Sequence, residues 1–185
     1  MPKTTRCPTY KTDRLRLRPL RSGDEEFLAA LDSDPAVMQY IHSGPLTPEQ
    51  AHNFALSQIE MAPHRWHLHK WMVELRLQKE RIGWVELSKF RGQFDPGDEY
   101  LGDDINIGYE FAPAYWNQGF AAEAIGPVLG YAFEVLEVPR VVAYTRPENE
   151  RSIRLLEKLG FQPGARQGYR DEGRHPCRLY SLTKP

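Results

Sequence analysis

Residues 107 to 124, IGYEFAPAYWNQGFAAEA, run from an apolar strand into a small-residue helix and provide no side chain to cap the helix they begin. The first backbone N–H groups of a helix have no acceptor within it, and neither Pro, Ser nor Asp marks the start near Gly119. These amides need an acceptor from elsewhere. The helix dipole places partial positive charge at the same point, so a phosphate or pyrophosphate is the natural ligand. Gly119 lets the backbone approach closely, and Ala121 and Ala122 keep bulky side chains away. Tight packing is the plainer alternative. The stretch lacks the Gly-Lys-Ser/Thr ending of a Walker loop and the further glycines of a dinucleotide fingerprint.

Around it, the hydrophobic period alternates between strand and helix values. TDRLRLRPL has period two and reads as a half-buried strand, its arginines 14, 16 and 18, with Arg21 after it, forming a solvated face. Ser22 with Glu25 is the expected cap of a helix that breaks at Asp34-Pro35 and gives way to a second short one. Thr47, Pro48 and Gln50 open another helix. WMVELRLQ and RIGWVELSKF form a hairpin across Lys79-Glu80, followed by a polar loop over 91–104 and the strand INIGYEF. Helical spacing over 119–136 contains Pro127, which is expected to bend it; RVVAYT is a buried strand. Asn149 caps a helix that stops at Gly160, and the chain closes on the strand CRLYSL. The sum is a mixed α/β domain.

The 185 residues suit one domain, and 24 basic against 25 acidic residues give a net charge of -1, which offers nothing global to nucleic acid or an anionic membrane. No apolar leader or span stands out, so a cytoplasmic protein is expected. Cys7 and Cys177 are far apart and read as reduced thiols. His64, His67 and His69 lack a nearby Cys or carboxylate partner, so no metal site is expected there.

The run from IGYEF through YWNQGFAAEA and NERSIRLLEKLGF resembles the GNAT superfamily of acyl-CoA-dependent N-acetyltransferases, and within it the RimJ and RimL type that acetylates ribosomal-protein N-termini. The resemblance is strongest over 105–162 and extends over 12–182 of a single domain, 1–185. It implies a V-shaped, mostly antiparallel sheet with splayed central parallel strands, flanked by helices. It also implies acetyl-CoA as the acetyl donor, a primary amine (protein N-terminus or small molecule) as acceptor, and a monomer or homodimer. The amides of Asn117, Gln118, Gly119, Phe120, Ala121 and Ala122 would hold the pyrophosphate. The pantetheine arm would pair with Phe111 and Ala112, while Asn149 and Ser152 would face the pantetheine and the thioester sulfur.

Acetyl transfer to an amine needs a base, because an amine with a pKa near ~10 is mostly protonated at neutral pH. In this branch a Glu often stands before Ile-Gly-Tyr, but here Asn106 does, and an amide cannot take the proton. Strand alternation puts Asp104, Asn106 and Glu110 on one face. Glu110 is therefore the candidate base with Asp104 behind it; a solvated strand residue is the alternative. The position of the superfamily's acid Tyr is Leu156, which leaves Ser152 as candidate acid or as a serine that bonds only backbone. His175 and Tyr169 either close over the acceptor or lie on the surface. Asn106 also keeps open a non-catalytic acyl-CoA-binding module.

Overall fold

A computed structural model describes residues 6–41, 44–64, 68–89, 104–170 and 175–184. The polar loop over 91–104 lies outside them but for Asp104, as does His67. The side chains of Tyr169 and His175 are likewise outside the description. The chain divides into two compact units, Met1–Glu86 with Tyr109–Val128, and Leu87–Gly108 with Leu129–Pro185.

The first unit contains β1 (Tyr10–Lys11), β2 (Leu15–Pro19), α1 (Glu25–Ser33), α2 (Pro35–Met38), α3 (Pro48–Met61), β3 (Lys70–Leu75) and most of β4 (Arg81–Lys89). The end of β5 (Ile105–Phe111) and most of α4 (Phe120–Gly130) complete it. Strands β1 to β4 pair antiparallel in chain order, with Leu17 opposite Val73 and Met72 opposite Trp84. One face of β3 and β4 presents Met72 and Trp84 to Leu28 and Leu31 of α1, Val37 and Met38 of α2, and Ala55 of α3. Truncating such a leucine costs about 2–5 kcal/mol, from lost burial and the cavity left behind. Gly83 is required where β5 crosses β4, since a Cβ there would run into the Glu110 carbonyl and the Phe111 ring.

Two expectations fail in this unit. Asp24, not Ser22, occupies the cap of α1, and its side chain makes no cap bond because it is bound elsewhere. Arg18 is not solvated either: 3% exposed, it donates to both oxygens of Asp24 at 2.7 Å and to Glu74 at 2.7 Å, while Arg81 adds 2.9 Å to Asp24. Elsewhere the local chemistry holds. Asp34 caps α2, and Thr47 with Gln50 completes a capping box on α3.

The second unit contains β6 (Arg140–Thr145), α5 (Glu150–Lys158), β7 (Gln162–Arg170) and β8 (His175–Thr183), with the start of β5. Here β5 and β6 run parallel, with Ile105 opposite Val141 and Asn106 opposite Val142, whereas β6–β8 and β7–β8 are antiparallel. Val142, Cys177 and Leu179 pack together under Tyr144. Cys7 and Cys177 form no disulfide with each other. Past Pro127, which removes one backbone bond, the helix widens into a π turn over Tyr131–Val135, closed by Leu136 N–H to Tyr131 O at 3.1 Å. The strands follow the order β1-β2-β3-β4-β5-β6-β8-β7, and among the described pairings β5–β6 is parallel and the others antiparallel, a mostly antiparallel sheet as the resemblance implied.

Candidate active site

The uncapped helix start has the backbone the sequence suggested. After β5 the chain makes a 3-10 turn over Pro113–Tyr115, and Asn117 and Gly119 then take φ of 60° and 79° before α4 begins at Phe120. The left-handed residues redirect the chain so that its amides lead into the helix axis. Glu123 is the first whose N–H reaches a backbone carbonyl, that of Gly119 at 3.1 Å; among the described residues none of the amides from Asn117 to Ala122 has a backbone acceptor. Gln118 folds its side-chain amide back on Ala114 O at 2.7 Å. A helix start with its amides left over is electrostatically suited to an anion.

Backbone groups at the strand end are engaged by β4 and by the turn that follows. Ala112 N–H donates to Ile82 O at 2.9 Å, its carbonyl accepts from Tyr115 N–H at 2.9 Å, and Phe111 O accepts from the Trp116 indole at 2.6 Å.

Arg14, expected in solvent, lies against this loop. Its Nη1 donates to Gln118 O at 3.1 Å, its Nε to Glu123 at 2.7 Å, and its guanidinium stands 4.2 Å from the Phe120 ring centroid. Alternation along β2 gave no sign of this, since Arg14 precedes the strand and its partners are about a hundred residues away.

Glu110 is not a solvated strand residue. It is 8% exposed, and one carboxylate oxygen, Oε2, has no hydrogen-bond partner. Burial is the main reason its pKa rises to about 7; Asp32 and Glu86 add to the rise, while Lys70 and a hydrogen bond from Trp84 oppose it. Lys70 stands opposite Glu86 in the β3–β4 register, 3.5 Å from its Oε2, and its ammonium lies 3.6 Å over the Trp84 ring. Asp32 of α1 is buried in the same surroundings and is pushed to about 6 by burial, against the pull of Lys70. Three carboxylates thus surround one buried ammonium, and two of them titrate near neutrality.

Asp104 is paired with Arg140 through two contacts of 2.8 Å. Asn106 is buried, with its amide nitrogen 3.4 Å from Ser88 Oγ. In the second unit, the Asn149 side chain caps α5 by accepting from Ser152 N–H at 3.2 Å, which places Ser152 half-buried in the first helical turn. Leu156 is core. His64 ends an exposed turn, while His69 is buried edge-on to Trp71, and no group of three metal-ligating side chains occurs among the described residues.

An uncapped helix start follows a strand on a mixed sheet of this order. Residues 14–162 match the Acetyltransferase (GNAT) domain family. The chain is 32% identical to YoaA, an uncharacterized N-acetyltransferase of Bacillus subtilis, over 96% of this chain and 98% of that one. A GNAT-family acetyltransferase from Bacillus anthracis has the same fold, with a TM-score of 0.76 at 25% identity over 95% of this chain and 98% of that chain. A Vibrio cholerae spermidine N-acetyltransferase, solved with CoA and spermine, superposes with a TM-score of 0.71 at 22% identity over 93% and 96%. The chain belongs to the GNAT acetyltransferase family, and it is an acetyltransferase.

Proposed function

We propose that the protein is one N-acetyltransferase domain that moves an acetyl group from acetyl-CoA to a primary amine, with Glu110 as general base. The observation that carries this reading is a buried carboxylate with a partnerless oxygen and a pKa brought close to neutrality. Acetyl-CoA supplies the activated thioester. The amides of Asn117 to Ala122 suit its pyrophosphate, and Phe111 with Ala112 is the family-derived strand edge for the pantetheine arm.

In this reaction the amine nitrogen attacks the thioester carbonyl directly, an N–C bond forms as the C–S bond breaks, and no acyl-enzyme is made. Glu110 takes the proton the amine loses. Ser152 is the family-derived donor to the departing thiolate, and Asn149 the family-derived contact for the pantetheine. A protein N-terminus remains a fitting acceptor for a chain that resembles the RimJ and RimL type. Similarity to the Vibrio cholerae spermidine N-acetyltransferase supports a small amine equally. No described helix is long and apolar enough to cross a membrane. A cytoplasmic enzyme, monomer or homodimer, belongs to the same proposal.

Thiol release from acetyl-CoA over a panel of amines tests the reading. Glu110→Gln is expected to lower kcat by about 10²–10⁴-fold while CoA affinity is kept. Unchanged turnover in that variant would remove Glu110 as base. CoA binding without amine-dependent thiol release by the native protein would favour a binding module.

A further inference from the structure

A carboxylate in the first turn of an anion-binding helix is a contradiction that the structure resolves. Glu123 lies one turn into α4, where its charge suits the helix dipole but opposes an incoming phosphate. Its two oxygens are fully occupied by a neighbouring segment: Thr12 Oγ1 and Arg14 N–H donate to Oε1 at 2.5 and 2.9 Å, and Arg14 Nε donates to Oε2 at 2.7 Å. Burial works against ionisation of Glu123, yet these donors outweigh it and hold its pKa below the usual value. The carboxylate is therefore charged and has to be masked.

We infer that Arg14 is a positioning residue for the phosphate end of the cosubstrate: it neutralises Glu123 and, through Gln118 O, holds the amide loop open toward the anion. This inference rests on the reading of the loop as the pyrophosphate site. Arg14 contributes through each of its three guanidinium nitrogens, its charge and its stacking. Its Nε covers the carboxylate, and its Nη1 bonds the Gln118 carbonyl at 3.1 Å, committing that acceptor to the side away from a phosphate. Its Nη2 would lie 3.5 Å from a Cβ at position 119, so the guanidinium borders the point of closest backbone approach. With the side chain 48% exposed, its positive charge also reaches the solvent through which CoA arrives. Stacking on Phe120 fixes the plane in which these contacts are made.

The consequence is a rescue that a merely structural arginine would not show. Arg14→Met uncovers the Glu123 carboxylate, so CoA affinity, measured by calorimetry, is expected to fall about tenfold or more, and the KM for acetyl-CoA to rise with it while the KM for the amine stays put. Adding Glu123→Gln to Arg14→Met removes the charge that was uncovered, and most of the affinity returns. In Glu123→Gln alone the amide oxygen still accepts from Thr12 and the Arg14 N–H, the Arg14 Nε contact is lost because an amide nitrogen does not accept, and with no carboxylate left to mask the variant binds CoA at least as well as the native protein. The inference is overturned if Arg14→Met binds CoA normally, or if the double variant is as weak as the single one. Native protein that binds no CoA would sink the acetyltransferase reading as well, which separates the two failures.

Discussion

The first unit buries two groups of charges, and they are built on opposite principles. Around Arg18 every charge is matched: the guanidinium has two carboxylates, Asp24 accepts from Arg18, Arg81 and the Arg21 amide, and the Asp24 pKa falls despite burial because those donors outweigh it. Around Lys70 three carboxylates share one ammonium, Glu110 keeps an oxygen with no partner, and burial pushes Glu110 to about 7 and Asp32 to about 6. The first group is closed and holds β2, β3 and α1 together. The second is left unsatisfied, at a cost in stability, which is the arrangement the proposed base requires.

Breaking the closed group gives the larger effect. Arg18→Met leaves Glu74 without its closest cation and Asp24 with only Arg81 and backbone, both in the interior. A loss of about 3–5 kcal/mol is expected from chemical denaturation, with turnover per folded molecule unchanged. A variant as stable as the native protein would show that the Arg18 pairs only break even against their desolvation.

The open group responds in the other direction. Glu110 has a folded pKa raised from 4.5 to about 7, so the folded state binds its proton more tightly than the unfolded chain. Its stabilising effect is complete below about 4.5, declines as pH rises from there to about 7, and becomes a constant cost above that. Glu110→Gln removes a charge that is expensive to bury, so it should raise stability at pH 8 by on the order of 3 kcal/mol and leave it nearly unchanged at pH 4. Asp24 has the opposite sign: its lowered pKa stabilises above its ordinary 3.8 and is lost as acid protonates it. Melting curves of Glu110→Gln at the two pH values that moved together would contradict the assignment.

The two groups also differ in what the sequence discloses. Features carried by neighbours in the chain were legible: the Thr47–Gln50 box, the Asn149 cap, the Gly160 stop, the hairpin and the uncapped start of α4. Each rests on contacts within about four residues. Arg18 was misread because a period of two says only that alternate residues share a face, and its partner Glu74 is brought near by strand pairing across 56 residues. Glu110 could be named by alternation and resemblance, but Lys70 and Asp32 could not, since only the packing of α1 on β3 and β4 joins them. The edge strand β7 was missed for another reason: Pro163 and Gly164 erase its pattern, and pairing to β8 alone asks little of it.

The smallest effect is also the most specific to the open group. Four elements bring side chains to Glu110: Lys70 from β3, Trp84 and Glu86 from β4, Asp32 from α1, and its own β5. Lys70 is the one cation among them, fixed by Glu86 and the Trp84 ring rather than by Glu110 itself. Lys70→Met keeps the apolar stem over Trp84 and removes the charge that favours ionised Glu110. With Glu110 needed as the carboxylate, the acid limb of kcat/KM is expected near pH 7 in the native enzyme and about one pH unit higher in the variant. At pH well above both values the two enzymes should converge, because Glu110 is then ionised in each. A uniform drop in rate at every pH would instead mark Lys70 as a packing residue, and would leave the balance among the three carboxylates to account for the pKa of Glu110.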